Sequence, residues 1–468
     1  MANDHMLELK NRKVLVVGLG KSGLACARFL HHRNARVRAT DCADARLLQS
    51  ELQMLDRLGI KATVGRHREA DFADAELIVL SPGVPHTLAP VTTAAARGIP
   101  VIGEIELAAG FIGEPILAVT GTNGKTTTTM LLGAMLEKSG LTSWVGGNIG
   151  NPLIAFADER PKAERVVVEV SSFQLDTIQT FRPQVAVLLN ISADHLDRYP
   201  DMGAYAESKA RIFRNQLPDD IAVLNGADRR VNAIGARLKT IRLFFDPPDG
   251  REGARITDDR LEVRCRWVDA RGTTVSLAHD FDFARYRLPG RHNRENAAAA
   301  CLAALAGGAT PPGVQAALDT FIAPPHRMSW VAVIDGVDYY DDSKATNTDA
   351  VIRAVETFRR PVVLILGGRD KGGDWDALHG QLRKRVKKVI AMGEAAAVIT
   401  DRLGRDVNVE SVPGMAEAVP RAAQAACSGD VVLLAPGCAS FDSYRNYAER
   451  GEDFMRRVKR METAHERA

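Results

Sequence analysis

The sequence predicts an α/β chain of three domains, each built on an open, mostly parallel sheet. Three observations predict it. Short apolar runs alternate with helical patterns along the chain. Two glycine turns, Gly18-Leu-Gly-Lys-Ser-Gly23 and Gly121-Thr-Asn-Gly-Lys-Thr126, each follow an apolar run and open a helical pattern. The length, 468 residues, suits about three domains.

The first domain is expected over residues 1–109. The strand Lys13-Val-Leu-Val-Val leads into the first glycine turn and a helical stretch over 24–33, and a second strand over 35–40 ends at Asp41. Strand, Gly-x-Gly-x-x-Gly, helix, strand and acid form a dinucleotide-type fingerprint. The turn serves any pyrophosphate laid on a helix N-terminus, so it points to a nucleotide without specifying nicotinamide. Further strands are predicted over 77–80, before Ser81-Pro-Gly83, and near 100–102.

The second domain, 110–323, carries Ile116-Leu-Ala-Val-Thr-Gly-Thr-Asn-Gly-Lys-Thr126. Gly121 and Gly124 let the backbone N–H groups converge, Lys125 brings a cation to the β- and γ-phosphates, and the Thr126 hydroxyl can reach a Mg²⁺ ion. The common phosphate-loop pattern has glycine where this chain has Val119, so the loop is a variant. Buried strands are predicted over 165–170 and 185–190. Alternation over 245–288 reads as appended antiparallel strands, followed by an alanine-rich helix over 296–306 and a loop over 307–312.

The third domain, 324–468, has strands over 331–334, 362–366, 388–392 and 431–435 separated by helical patterns, and reads as another parallel sheet. The basic run over 383–388 is expected to end a helix as a solvated face.

The bulk numbers exclude some classes. Net charge is +3, so nothing demands nucleic acid, and no stretch of 18 apolar residues suggests a membrane span or a secretory leader. Six scattered cysteines without a Cys-x-x-Cys pair suit reduced thiols in a cytoplasmic protein.

Several constellations carry chemistry. Glu169 ends a buried strand beside the phosphate loop, where it can ligate Mg²⁺. Asp194-His195-Leu-Asp197 ends the next strand, and a histidine among acids at a sheet edge suits a ligand or acid–base role. Asp341-Asp-Ser-Lys-Ala-Thr-Asn347, Gly367-Gly-Arg-Asp-Lys-Gly372 and Ala435-Pro-Gly-Cys-Ala-Ser-Phe-Asp442 all follow strands of the third domain. Together they outline a crevice whose cations suit a carboxylate.

As a set, Gly121-Thr-Asn-Gly-Lys-Thr-Thr127, Glu169-Val-Ser-Ser-Phe-Gln-Leu175, Asp194-His-Leu-Asp197, His292-Asn293 with Asn296, His326-Arg327 and Asp342-Ser-Lys-Ala-Thr-Asn347 resemble the Mur ligase family. These are ATP-dependent enzymes that add amino acids to the peptidoglycan precursor. The Ser-Ser-Phe-Gln-Leu, Asp-His-Leu-Asp-Arg-Tyr and Cys-Ala-Ser-Phe-Asp stretches look like its D-glutamate-adding branch. The resemblance implies a Rossmann-like N-terminal domain for a UDP precursor, a central P-loop-type ATPase domain, and a Rossmann-like C-terminal domain for the amino acid.

The residue roles below are those the resemblance implies. Lys125, Glu169, His195 and Lys209 are catalytic. Gly121, Thr122, Asn123, Gly124, Lys125, Thr126 and Thr127, with Asn293, Asn296, Arg327 and Asp342, hold ATP. Gly18, Leu19, Gly20, Lys21, Ser22, Asp41, Ser81, Gly83 and Asn148 hold the UDP precursor, UDP-N-acetylmuramoyl-L-alanine. Thr346, Lys371, Ser440, Phe441 and Tyr447 meet D-glutamate. Two Mg²⁺ sites draw on Thr126, Glu169, His195 and a carbamylated Lys209. Taken alone, Lys209 reads as a surface helix lysine.

Nothing in the sequence requires more than a monomer. Cys42-Ala43 stand where some relatives carry Thr-Arg, and residues 246–285 have no functional reading. Rival readings are a nicotinamide oxidoreductase, a non-catalytic nucleotide switch, a sibling Mur ligase and a folylpolyglutamate synthase. Domain closure over ATP is expected because Arg327 comes from the third domain.

Overall fold

The computed structural model describes residues 8–247, 252–268 and 272–465. Among these, three open sheets follow one another along the chain. The first has β1 (Lys13–Val17), β2 (Arg36–Thr40), β3 (Lys61–Thr63), β4 (Leu77–Leu80) and β5 (Val101–Gly103), all parallel, in the order β3-β2-β1-β4-β5. The order reverses beside β1. The Gly18 turn therefore opens at the C-terminal edge, in the crevice such sheets use for ligands.

The second sheet has nine strands: β6 (Ile116–Thr120), β7 (Ser143–Gly147), β8 (Arg165–Glu169), β9 (Val185–Leu188), β10 (Ile221–Asn225), β11 (Ile241–Phe245), β12 (Gly253–Ile256), β13 (Arg260–Val268) and β14 (Thr274–Asp282). Its order, β14-β13-β12-β11-β10-β9-β6-β8-β7, sets β6 between β9 and β8. The ends of those three strands thus meet at one place. The predicted antiparallel extension is present as β12 to β14, where β13 alternates buried and exposed residues. The loop expected over 307–312 is shorter than the reading, because Pro311 and Pro312 open the helix Pro311–Thr320 under a Thr310 cap. Proline suits the first helical turn, where its missing N–H removes no bond.

The third sheet has β15 (Ser329–Ile334), β16 (Val337–Asp341), β17 (Val362–Gly367), β18 (Val386–Met392), β19 (Val409–Val412) and β20 (Val431–Leu434), in the order β15-β16-β20-β17-β18-β19. It is not wholly parallel as expected. β15 pairs antiparallel with β16 through the tight turn at Asp335-Gly336, both at positive φ. A hairpin that short can only return antiparallel. The basic run straddles the helix His379–Arg385 and the start of β18.

The first two sheets share one apolar core. Phe29, Ile105, Leu153, Phe156, Phe181 and Tyr205 belong to a single buried cluster, with Phe111 edge-on to Phe29 at 5.0 Å. The helix Glu104–Ala109 fastens them further. Buried Glu104 accepts from Ile154 N (2.7 Å), and buried Glu106 accepts from Gln179 N, Thr180 N, Phe181 N and Thr180 Oγ1 at 2.6–2.9 Å. The third sheet has its own cores on its two faces.

Candidate active site

The phosphate loop is fixed from both sides. All of β6 is buried, and Gly124 turns at φ 85° to cap the helix Lys125–Lys138. A side chain at Gly124 would need the left-handed region and would stand 2.1 Å from Asn296 Oδ1. Asn190, just past β9, accepts Thr122 N on its carbonyl (2.9 Å) and Asn123 N on Oδ1 (2.8 Å). Lys125 folds back over the loop and donates to Gly121 O (2.9 Å) and Thr122 O (2.8 Å).

Around it stand the groups at the ends of β8 and β9. Glu169 is buried, accepts from Asn148 Nδ2 (2.8 Å) on Oε1, and has no partner on Oε2. A buried carboxylate oxygen left open suits a cation. His195 sits at φ 56° with its ring 4.8 Å from Phe173. Burial, aided by the Lys371, Lys125 and Lys209 cations and opposed by Asp194, lowers its imidazole to about 4. It is therefore neutral near pH 7, as a metal ligand must be. Burial pushes Asp194 up, but Lys371 and His195 outweigh it and hold the carboxyl at about 2.

Lys209 departs from its reading as a surface lysine. It is 1% exposed, donates to Gly121 O (2.8 Å), and lies 4.5 Å from the Tyr205 ring centre. Burial first, and the Lys125 charge second, depress its ammonium well below the ordinary range. The helix Met202–Ala210 turns this face inward because Tyr205 and Ser208 are buried on it.

Across a cleft, the third unit presents Arg327, Asp342, Lys344 and Arg353 to Asn123, Gly124, Thr127, Asn293 and Asn296. Burial raises Asp342 to about 7 against the pull of Arg327, and lowers Lys344 to about 8. Thr346, Lys371 and Ser440 lie in the loops after β16, β17 and β20, three adjacent strands. Lys371 reaches the second unit and pairs with Asp194 at 2.7 Å. Lys344 lies 3.8 Å from the Tyr447 ring centre. Phe441 is 64% exposed, apart from the buried Ser440.

The first sheet gathers its own set. Leu19 N donates to Asp41 Oδ2 (2.7 Å), Ala43 N to Asp41 Oδ1 (2.8 Å) and Ser81 Oγ to Gly18 O (2.8 Å). Asp41 thus braces the turn, and the Leu19 side chain is core. Gly20, Lys21 and Ser22 open the helix Lys21–His32, and Lys21 donates to Gly150 O beside Asn148. Gly83 O accepts from Arg198 Nη1 at 3.3 Å, beyond β9. Lys21 and Gly83 thus tie the first unit to the segments that follow β7 and β9 of the second.

This order of sites is what the family models match. The Mur ligase MurD-like N-terminal domain matches residues 12–103, the Mur ligase middle domain 119–304, and the Mur ligase glutamate ligase domain 326–438. A UDP-N-acetylmuramoylalanine–D-glutamate ligase of Desulfosudis oleivorans is 52% identical over 97% of this chain and 98% of its own length. The chain belongs to the Mur ligase family. A ligase of the same name from Desulfatibacillum aliphaticivorans is 46% identical over 97% of this chain and 99% of its own. Among solved structures, UDP-N-acetylmuramate-alanine ligase MurC of Thermotoga maritima has the same fold, with TM-score 0.58 at 19% identity over 96% of this chain and 99% of that one.

Some residues at the Mur ligase cleft have no counterpart in the sequence reading. Lys344 stood inside a quoted motif without a role. Arg450 is 1% exposed and donates to Ser343 Oγ (3.0 Å) and to the carbonyls of Ser343 (2.9 Å), Cys438 (3.1 Å), Gly367 and Ala439 (both 3.4 Å), tying together the loops after β16, β17 and β20. No local pattern marks it. Among the described residues no group of three or more His, Cys, Asp or Glu gathers in metal-holding geometry. None is required for Mg²⁺, which commonly takes one or two carboxylates and completes its shell with phosphate oxygens and water.

Proposed function

We propose that this Mur ligase is an ADP-forming acid–amino-acid ligase that adds D-glutamate to UDP-N-acetylmuramoyl-L-alanine, in cytoplasmic peptidoglycan precursor synthesis for cell wall growth and division. The observation that carries it is the convergence of Lys125, Glu169, His195 and Lys209 near Arg327 of the third unit, with Lys371 paired to Asp194 beside them. The names of the relatives supply the acceptor and the amino acid. That no helix among the described residues could span a membrane accords with this location. Residues of one chain complete the site, which supports action as a monomer.

Residues 1–109 would bind the precursor through Gly18 to Ser22, Asp41, Ser81 and Gly83, with Asn148 from the second unit. Residues 110–323 would bind ATP through the loop from Gly121 to Thr127, with Asn293 and Asn296. Residues 324–468 would add Arg327 and Asp342 at ATP, and Thr346, Lys371, Ser440, Phe441 and Tyr447 at D-glutamate.

The alanyl carboxylate attacks the γ-phosphorus, giving an acyl phosphate and ADP. The D-glutamate amine then attacks the acyl carbon, and the tetrahedral intermediate expels phosphate. The chain's part is positioning and charge neutralisation. Lys125 leaves its loop carbonyls for the phosphates, and Arg327 reaches them from the opposite wall. Thr126, the open Glu169 Oε2, neutral His195 and Lys209 fit two Mg²⁺ ions. Bound there, magnesium neutralises charge on the phosphates and the acyl carboxylate. Lys209 is suited to carbamylation. A depressed pKa leaves a free amine that adds to CO₂ and releases a proton, converting a donor into an oxygen ligand.

Phosphate release with UDP-N-acetylmuramoyl-L-alanine against a panel of amino acids tests the reading, with D-glutamate expected to be preferred. Preference for another amino acid defeats the assignment. Bicarbonate should raise the activity of CO₂-depleted enzyme. An unmodified Lys209 by mass, together with no response, removes the carbamate.

A further inference from the structure

Thr40, the last residue of β2, is fully buried and serves two neighbours. Its carbonyl accepts Gly18 N at 2.8 Å, and its hydroxyl lies 3.0 Å from His67 Nδ1, in the loop after β3. That loop is laid on the Asp41 turn, where Asp41 N donates to Thr63 O and Gly65 N to Ala43 O, both at 2.9 Å. Phe72 meets the half-buried His67 ring edge-on, with ring centres 5.8 Å apart. Burial, opposed by Asp41, lowers the imidazole below its ordinary value, so the ring is predominantly neutral at pH 7. Thr40 decides the tautomer. No other acceptor among the described residues takes the Thr40 hydroxyl proton, and a buried hydroxyl proton rarely goes without one. Thr40 therefore donates to Nδ1, and the ring proton sits on Nε2. Nε2 itself has no partner among the described residues.

In a sheet wound this way a diphosphate lies on the helix N-terminus after β1, and the acid that ends β2 lies at the ribose. The base then extends outward over the ends of β2 and β3. There the Asp41 turn itself offers only the short side chains of Cys42 and Ala43, and His67 is the side chain anchored beside it. We propose that His67 recognises the base of the precursor's nucleotide, donating from Nε2 to the O4 carbonyl of uracil, with Thr40 as the residue that positions it. The inference rests on the reading that the first unit takes a uridine diphosphate end. An N–H donor pairs with the carbonyl that uracil carries at that position and meets a second donor in the amino group of cytosine. The contact therefore selects uracil over cytosine.

Calorimetric affinities for UDP and CDP test this, measured with a non-hydrolysable ATP analogue in excess to fill the phosphate loop. Wild type is expected to prefer UDP. His67→Ala should weaken UDP by roughly tenfold and leave CDP within about twofold, so that the preference collapses. His67→Gln, which keeps an N–H donor, should restore part of it. If His67→Ala fails to fold, His67→Phe keeps a ring against Phe72 and removes both nitrogens. Nitrogen NMR of the wild-type ring should show the Nε2–H form, and Thr40→Val, which frees Nδ1, should give a mixture of both tautomers. Equal losses of UDP and CDP, a preference unchanged in both variants that lack the nitrogens, or a wild-type ring proton on Nδ1 overturns the role of His67. A wild-type chain that binds neither nucleotide defeats the reading of the first unit, and this inference with it, whereas UDP binding that ignores His67 defeats the inference alone.

Discussion

Gly124 bears the heavier steric constraint of the two glycines in the phosphate loop. Ala there would need φ near 85° and a Cβ 2.1 Å from Asn296 Oδ1. Gly124→Ala is expected to destabilise the chain by about 2 kcal/mol and to abolish ATP-analogue binding, read by melting and calorimetry. Lys125→Ala should keep the fold and cut phosphate release by at least about 10²-fold, since its ammonium is the loop's own cation. These residues were legible in the sequence because a tight turn constrains neighbours along the chain. Lys209 was not. Its burial depends on Gly121, 88 residues away, and only the family resemblance singled it out.

At the scale of elements, the helix Glu104–Ala109 offers a pH test. Burial holds Glu104 at about 7, above the ordinary 4.5. Between those values the folded chain keeps a proton that the unfolded chain has lost, so this group's contribution to stability falls as pH rises from 4.5 to 7. The penalty is absent below 4.5 and full above 7. Glu104→Gln removes it, so the variant's melting temperature relative to wild type should be higher at pH 8 than at pH 4.5, by the equivalent of at most about 3 kcal/mol. Arg450 makes the companion case in the third sheet. Replacing it with methionine takes a donor from five oxygen acceptors near the strand ends, of which the Ala439 carbonyl keeps Arg369 N. A loss of about 3 kcal/mol in melting and weaker D-glutamate saturation are expected. The strands themselves were readable as apolar runs. The antiparallel entry of β15 was not, since direction lies in the Asp335-Gly336 turn rather than in hydrophobic pattern.

For the whole molecule, the two junctions differ in kind. The first and second units share a core and a buried carboxylate that takes three backbone N–H groups, whereas the second and third meet mainly through side-chain bonds across a cleft. Glu106→Ala should orphan those N–H groups at a cost of about 3 kcal/mol and loosen the first domain with or without nucleotide, visible as a larger radius of gyration. The three-domain plan was legible because the two glycine turns announce the first two sheets and apolar runs alternating with helical patterns announce the third. The junctions were not, since Glu104 and Glu106 look like ordinary helix-surface acids.

That rigid first junction works as a gauge. The span from the Gly18 turn to the phosphate loop is set in this structure by Glu106 and the shared core. Under the proposed function, a precursor must bring its nucleotide end and its carboxylate to the two ends of that span. A donor longer by one amino acid would carry its carboxylate past the γ-phosphate, so the stage at which the growing peptide is accepted is measured out before ATP is bound.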